Sequence, residues 1–272
     1  MRVAIFGAGP AGLLIAHASE QLGHEPTIFS AFEKSTQYGA QYLHQNIPGI
    51  PNIPVRHLEH QFTGTIPGYR DKVYGMAWDG VVSPEQYSGV TLAYDIRYAY
   101  DWLWQQYRFR IIPLRLTPDL LMGIRNPEFS MTRLNAEFDI VFSTIPRAVL
   151  CASPEHRFNS AKIWCIGDAP DQDIYAPIKV PDETLICSGD PDVSWYRACR
   201  VFDHTTVEWP RTRKRPPIEG VVQVLKPLDT NCTCWPEIKY LGRYGEWKKG
   251  VLVHEVYRDA IHAMKAATVE SV

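Results

Sequence analysis

Residues 2–30, RVAIFGAGPAGLLIAHASEQLGHEPTIFS, constrain the fold more than any other stretch, because they set a glycine fingerprint between an apolar strand and an amphipathic helix. The run Val3 to Phe6 reads as a strand. Gly7 makes the tight turn after it, Gly9 lets the backbone approach a pyrophosphate, and Gly12 lets the following helix lie close to the sheet. That helix opens at Pro10 and Ala11, where unpaired N–H groups and the helix dipole favour an anion. Leu13, Leu14, Ala16 and Leu22 supply its apolar face, Gly23 closes it, and Pro26 to Phe29 returns the chain to the sheet as a second strand. The pattern predicts a dinucleotide site.

A length of 272 residues with 45% hydrophobic and 21% charged side chains suits one large core or two modest ones. A formal net charge of −2 excludes a global polyanion-binding character, although a local basic patch remains compatible with it. No apolar run reaches the length of a membrane span, and the N-terminus enters the first strand directly, so a cytoplasmic protein without membrane contact is expected. The six cysteines form no C-x-x-C pair and several lie in apolar runs, which predicts reduced, buried thiols. Cys232 and Cys234 are too close for an unstrained bridge and lack a second ligand pair for zinc, so no metal is expected.

Beyond the second strand, residues 31–68 read as a long loop punctuated by PGIPNIP at 48–54, and loops of that length are usually functional. The aromatic pattern from Ala93 to Arg108 reads as a core-packed helix. Strand-like runs follow at FRIIPLRL, FDIVFSTIP, AKIWCIG, ETLICSG, TTVEW and GVVQVL, and Val251 to Ala266 reads as a closing helix. The expected class is α/β, with a Rossmann-type cofactor domain interrupted by a strand-rich substrate domain and one cleft between them.

The nature of the dinucleotide is less constrained. Where an acidic residue normally meets the ribose at the end of the second strand, this chain has Ser30. Glu33 one turn later could substitute, Ser30 could itself bond a ribose hydroxyl, and with Lys34 nearby the missing carboxylate could instead accommodate the 2′-phosphate of NADP; spacing alone leaves FAD slightly ahead. Three further stretches carry a family resemblance. GAQYLH at 39–44, FDIVFSTIP at 138–146 and GRYGEWKKGVLVHEVYRDAI at 242–261 resemble the second glycine motif, the exit strand and the C-terminal flavin motif of the amine oxidase and UDP-galactopyranose mutase superfamily. The resemblance implies FAD. It also implies that Gly39, Ala40 and His44 lie beside the flavin, with His44 in a catalytic position. Gly242, Arg243 and Trp247 would line the cofactor, and Leu252 and Val253 would offer backbone N–H groups to its pyrimidine edge. On this reading the FAD domain takes residues 1–68, 138–150 and 221–272, and the substrate domain takes 69–137 and 151–220.

The segment DVSWYRACRVFDHTTVEWP at 192–210 resembles the mutase-like region that places an arginine over the flavin. Arg197 is expected to hold an anionic group of the substrate and Tyr196 to stack on it, with His204 and Glu208 close by. Arg211, Arg213, Lys214 and Arg215 form a basic loop suited to DNA phosphates if the substrate were a modified base. Gly167 and Asp168 read as an ordinary turn. The function expected is an FAD-dependent oxidoreductase acting on a C–N or C–C bond of an amine- or amino-acid-like small molecule. The alternatives are an FAD enzyme of DNA base hypermodification, a redox-neutral sugar-nucleotide mutase, and a non-catalytic flavin-binding protein.

Overall fold

A computed structural model describes residues 1–31, 34–38, 42–75, 88–169 and 180–270. Two sheets organise these residues. The chain opens with β1 (Arg2–Phe6), α1 (Pro10–Gln21) and β2 (Glu25–Ser30), and then leaves for β3 (Val55–Gly64), α2 (Ile66–Tyr74) and β4 (Gly89–Tyr94). It returns through α3 (Ile96–Tyr107), β5 (Ile111–Pro113), α4 (Pro118–Leu121), α5 (Met131–Glu137), β6 (Ile140–Ser143) and α6 (Arg147–Leu150). A second excursion holds β7 (Phe158–Ala169), β8 (Thr184–Gly189), β9 (Arg197–Val201), β10 (His204–Pro210) and β11 (Val222–Thr230), before β12 (Ile238–Tyr240), α7 (Gly242–Glu246) and α8 (Glu255–Glu270) close the molecule.

The first sheet has the order β12-β6-β1-β2-β5, and all its pairings are parallel. Its central strand β1 is buried on both faces, which is why Val3 to Phe6 is continuously apolar. One face packs on α1, α3 and α8 through Leu13, Ile15, Leu103, Ala260 and Met264. The other packs on α4 and α5 through Leu120, Leu121, Met131 and Leu134. From β1 the chain runs outward to β2 and β5 and then back to β6 on the opposite side, so the carboxyl ends of β1 and β6 form a topological switch point. Asp95 starts α3 by accepting from the N–H groups of Arg97 and Tyr98.

The second sheet has the order β11-β7-β10-β9-β8-β3-β4; only β3 and β8 pair in parallel. Phe202 and Asp203, both at positive φ (52° and 60°), make the two-residue turn that joins β9 to β10. Inner and outer faces alternate along each strand, so Ile163 and Cys165 face one core while Trp164 and Ile166 face another.

Strand membership departs from the expected boundaries. Within the supposed loop of 31–68, β3 belongs to the second sheet, and residues 47–53 pack Ile47, Ile50 and Ile53 against α1 and α3. His17 of α1 pins that stretch through Nε2 to the Pro48 carbonyl at 2.8 Å. Residues 96–137, assigned to the substrate domain, instead flank the parallel sheet, and β11 lies in the second sheet although 221–272 was expected to join the first. For the strands the cause is shared: β-branched and aromatic runs suit either sheet, and only long-range pairing decides between them. Gly167 is also not in a turn. It lies within β7, where a Cβ would come 2.2 Å from the Gln37 carbonyl oxygen, so the glycine permits a crossing of two backbones. Among the described residues no helix is long and apolar enough to cross a membrane.

Candidate cofactor and substrate site

The fingerprint folds as a cradle at the switch point. Gly7 adopts φ +104°, and a Cβ there would sit 2.8 Å from Thr144 Oγ1 and Ile145 Cγ2. A Cβ on Gly12 would lie only 1.8 Å from the Gly7 carbonyl oxygen, so α1 can approach the β1 turn only through a glycine. Gly9 differs from both. Among the described residues the nearest atom to its hypothetical Cβ is Ser35 Oγ at 3.8 Å, which leaves the backbone at the N-cap of α1 open to approach from them. Pro10 occupies the first helical turn, which contains no acidic residue to compete with a bound anion. Tyr100, buried on α3, donates its hydroxyl to the Ala8 carbonyl at 3.0 Å and accepts from the Ser35 N–H at 3.0 Å, fixing the loop from above.

The tail lies across this cradle. Gly242, at φ +76°, brings α7 against α1, with its hypothetical Cβ 3.2 Å from Ala11 Cβ; a Cβ on Gly245 would lie 2.5 Å from the Ser143 carbonyl oxygen. Around this junction Arg243 Nε, Ser143 Oγ and His254 Nδ1 are buried without a hydrogen-bond partner. Unpaired buried polar atoms beside a glycine cradle suit a polar ligand that completes them. Two expected contacts are already engaged elsewhere. The Leu252 N–H donates to Glu255 Oε2 at 2.9 Å, within the opening turn of α8. The Trp247 indole N–H donates to the Asn159 carbonyl at 2.9 Å while its ring packs edge-on against Phe158, so Trp247 acts as a strut to β7. Val253 lies in the turn that leads into α8.

His44 is exposed, and its ring stands 5.3 Å from that of His254 and 4.7 Å from that of Tyr42. The Tyr42 hydroxyl lies 3.2 Å from His60 Nε2, which is 3.1 Å from Thr91 Oγ1. A chain of aromatic and imidazole rings thus runs from the start of α8 to β3 and β4. Burial lowers the pKa of His254, and partial desolvation by the surrounding rings together with the neighbouring His254 and His60 lowers that of His44 although part of its surface stays exposed, so both rings favour the neutral form. Ser30 is nearly buried at the end of β2, its carbonyl accepting from Leu114 N–H. Lys34 pairs with Asp101 and lies over the Tyr100 ring. Glu33, Gly39 and Ala40 lie outside the described residues.

The inner face of the second sheet carries buried charge. Arg197 from β9 pairs with Glu208 Oε1, and Lys226 Nζ from β11 lies 2.5 Å from Glu208 Oε2. Burial alone would push the Glu208 carboxyl up, but the two cations hold it well below the usual carboxylate range. Burial, then repulsion from Arg197, pushes the Lys226 ammonium down to about 7. Cys165, Cys187 and Cys199 share this face, and burial raises their thiols to about 12, 11 and 12, which keeps them protonated. Arg197, expected to hold an anionic group of the substrate, has its guanidinium paired with Glu208. Tyr196 is likewise no stacking platform: it has no exposed surface, with Tyr69 at its ring edge and Lys226 above it at 5.1 Å. Arg211, Arg213, Lys214 and Arg215 are exposed after β10, with Arg213 and Arg215 bonded to the Pro191 and Val221 carbonyls.

Sequence reasoning missed Tyr100, His60 and Lys226. Only Lys226 left a signal, as a lone cation inside the apolar run GVVQVLKPL. The second ligand pair missing for Cys232 and Cys234 is also present, because Cys151 and His156 reach them from a distant part of the chain.

No protein-family model and no curated protein sequence matches the chain. Solved structures do. BrvH, a flavin-dependent halogenase from Brevundimonas sp. BAL3, superposes with a TM-score of 0.54 at 10% identity, over 97% of this chain and 71% of its own. An FAD complex of HpxO from Klebsiella pneumoniae gives 0.52 at 11% identity, over 99% and 84%. The 2,6-dihydroxypyridine-3-hydroxylase of Arthrobacter nicotinovorans gives 0.52 at 10%, over 98% and 84%. The fold is that of FAD-binding Rossmann-type enzymes. The likeness covers nearly the whole chain and shows this fold; it does not single out the amine oxidase and mutase superfamily that the tail motif resembles.

Proposed function

We propose that this chain is an FAD-dependent oxidoreductase that works on a small molecule between its two sheets. One observation carries the reading: at the switch point of a parallel sheet, Gly7 and Gly12 press strand and helix together while Gly9 leaves the backbone open. The N-terminus of α1 would hold the pyrophosphate, Ser30 would face the ribose, and Arg243 with Ser143 would supply polar contacts from the opposite side. When bound, FAD supplies the electron-transfer chemistry of its isoalloxazine ring. The protein orients the substrate and excludes water, with neutral His44 and His254 placed to accept or return a proton.

For the substrate we infer a planar, polar heteroaromatic ring. The aromatic and imidazole rings of Tyr42, His44 and His60 offer stacking and hydrogen bonds. Two enzymes of the same fold are named with such rings, HpxO in complex with uric acid and the dihydroxypyridine hydroxylase. Anaerobic mixing of the loaded protein with reduced nicotinamide, with and without hydroxypyridines or uric acid, tests this. Faster flavin bleaching in their presence supports the reading. Direct bleaching by amines or amino acids without nicotinamide would restore the amine-type substrate, and reduction by no donor would leave a non-catalytic flavin protein.

A further inference from the structure

The chain passes between its sheets through residues 151–157 on the way out to β7 and 231–237 on the way back to β12. Four side chains from these two strips converge: Cys151, His156, Cys232 and Cys234, whose Sγ and ring nitrogen atoms all lie within 4.8 Å of one another. His156 Nδ1 is 3.2 Å from Cys151 Sγ and 3.5 Å from Cys234 Sγ, and the two sulfurs are 3.9 Å apart. Zinc–sulfur bonds of about 2.3 Å and a tetrahedral angle place neighbouring ligand atoms about 3.5–3.8 Å apart. A disulfide needs about 2.05 Å, so this spacing fits the ligands of a shared ion and not a bridge. Three thiolates and one imidazole are the soft donor set that selects zinc over magnesium or calcium.

We propose that Cys151, His156, Cys232 and Cys234 form a closed, structural zinc site that ties the two inter-sheet crossings together. Its surroundings are held by hydrogen bonds independent of the four ligands. The Trp235 indole N–H donates to the Leu150 carbonyl at 2.7 Å, the Arg157 N–H to Asn231 Oδ1 at 2.7 Å, and the Thr230 hydroxyl to the Arg157 carbonyl at 2.7 Å. Four protein ligands leave no open position for a substrate, so the ion has no part in the flavin chemistry. It closes a loop between residues 83 positions apart, and metal binding becomes folding free energy.

The test is the metal content of the full chain purified under reducing conditions and incubated with zinc alone. About one zinc per chain is expected after removal of excess ion, with loss of bound zinc in Cys232→Ser and Cys234→Ser and retention in Cys165→Ser. Cobalt loaded into the unmutated chain should show thiolate charge-transfer and tetrahedral ligand-field bands, a readout that does not depend on the variants folding. Chelation of the ion should lower the melting temperature. A chain that takes up neither zinc nor cobalt under these conditions, or one in which Cys165→Ser loses the metal as fully as Cys234→Ser, overturns the proposal.

Discussion

The glycine cradle at the end of β1 and the inner face of the second sheet both place polar groups inside the protein, yet they hold polarity in opposite ways. In the cradle the working groups are backbone N–H groups and absent side chains, with Gly7, Gly9 and Gly12 spaced within six residues. On the inner face the working groups are full charges, and Arg197, Glu208 and Lys226 come from three strands. A backbone site is set by sterics over one turn of chain and needs no partner to neutralise it. A charge cluster must pair internally, because one unmatched ion in a buried face costs more than any single hydrogen bond returns.

This difference predicts how each region breaks. Glu208→Ala should have the largest effect, because it leaves Arg197 and Lys226 as neighbouring buried cations; a loss of about 3–5 kcal/mol in chemical denaturation is expected. A loss under about 1 kcal/mol would mean that water already reaches the cluster. Lys226 gives the comparison a pH signature. Its ammonium sits at about 7 when folded against 10.5 when unfolded, so between those values the unfolded chain binds the extra proton. Stability should therefore rise with pH across that window in the native chain relative to Lys226→Met, and equal slopes in the two proteins would contradict the assignment.

Arg197→Lys probes the same cluster more gently. It keeps the charge and loses the planar fork, so about 1 kcal/mol of stability should be lost with flavin content unchanged. If flavin reduction by substrate falls much further than stability, Arg197 reaches the ligand as well as Glu208. The smallest effect is expected at the cradle's rim. Ser30→Ala should weaken FAD by no more than about 1 kcal/mol, measured by titration of the apoprotein; a loss beyond tenfold would give Ser30 the full ribose contact.

The contrast also explains what could be read from the sequence. The βαβ unit from Arg2 to Ser30 was legible because strand, turn and helix are neighbours and each glycine has a local steric reason. Gly242 was singled out by its motif as a cofactor contact, and the structure lays it against Ala11 of α1. Arg197 and Glu208 were noticed as a pair of strands, but their mutual pairing was not, because cross-strand register is decided by the β9–β10 turn. Lys226 comes from β11, which does not border either β9 or β10; β7 lies between β11 and β10. Cys151 and His156 met Cys232 and Cys234 only through the return of the chain to β12, a juxtaposition that no local spacing encodes.

The most direct measurement of the central claim is the cofactor content of Gly9→Val beside that of the unmutated chain. Among the described residues the nearest atom to a Cβ at Gly9 is 3.8 Å away and the backbone there is extended, so the variant should fold with a near-native melting temperature. The native chain should release FAD, identified by absorbance and mass, while Gly9→Val should purify colourless because its side chain stands where the pyrophosphate meets the backbone. A folded Gly9→Val that retains normal FAD, or a native chain that yields NADP and no flavin, would contradict the account.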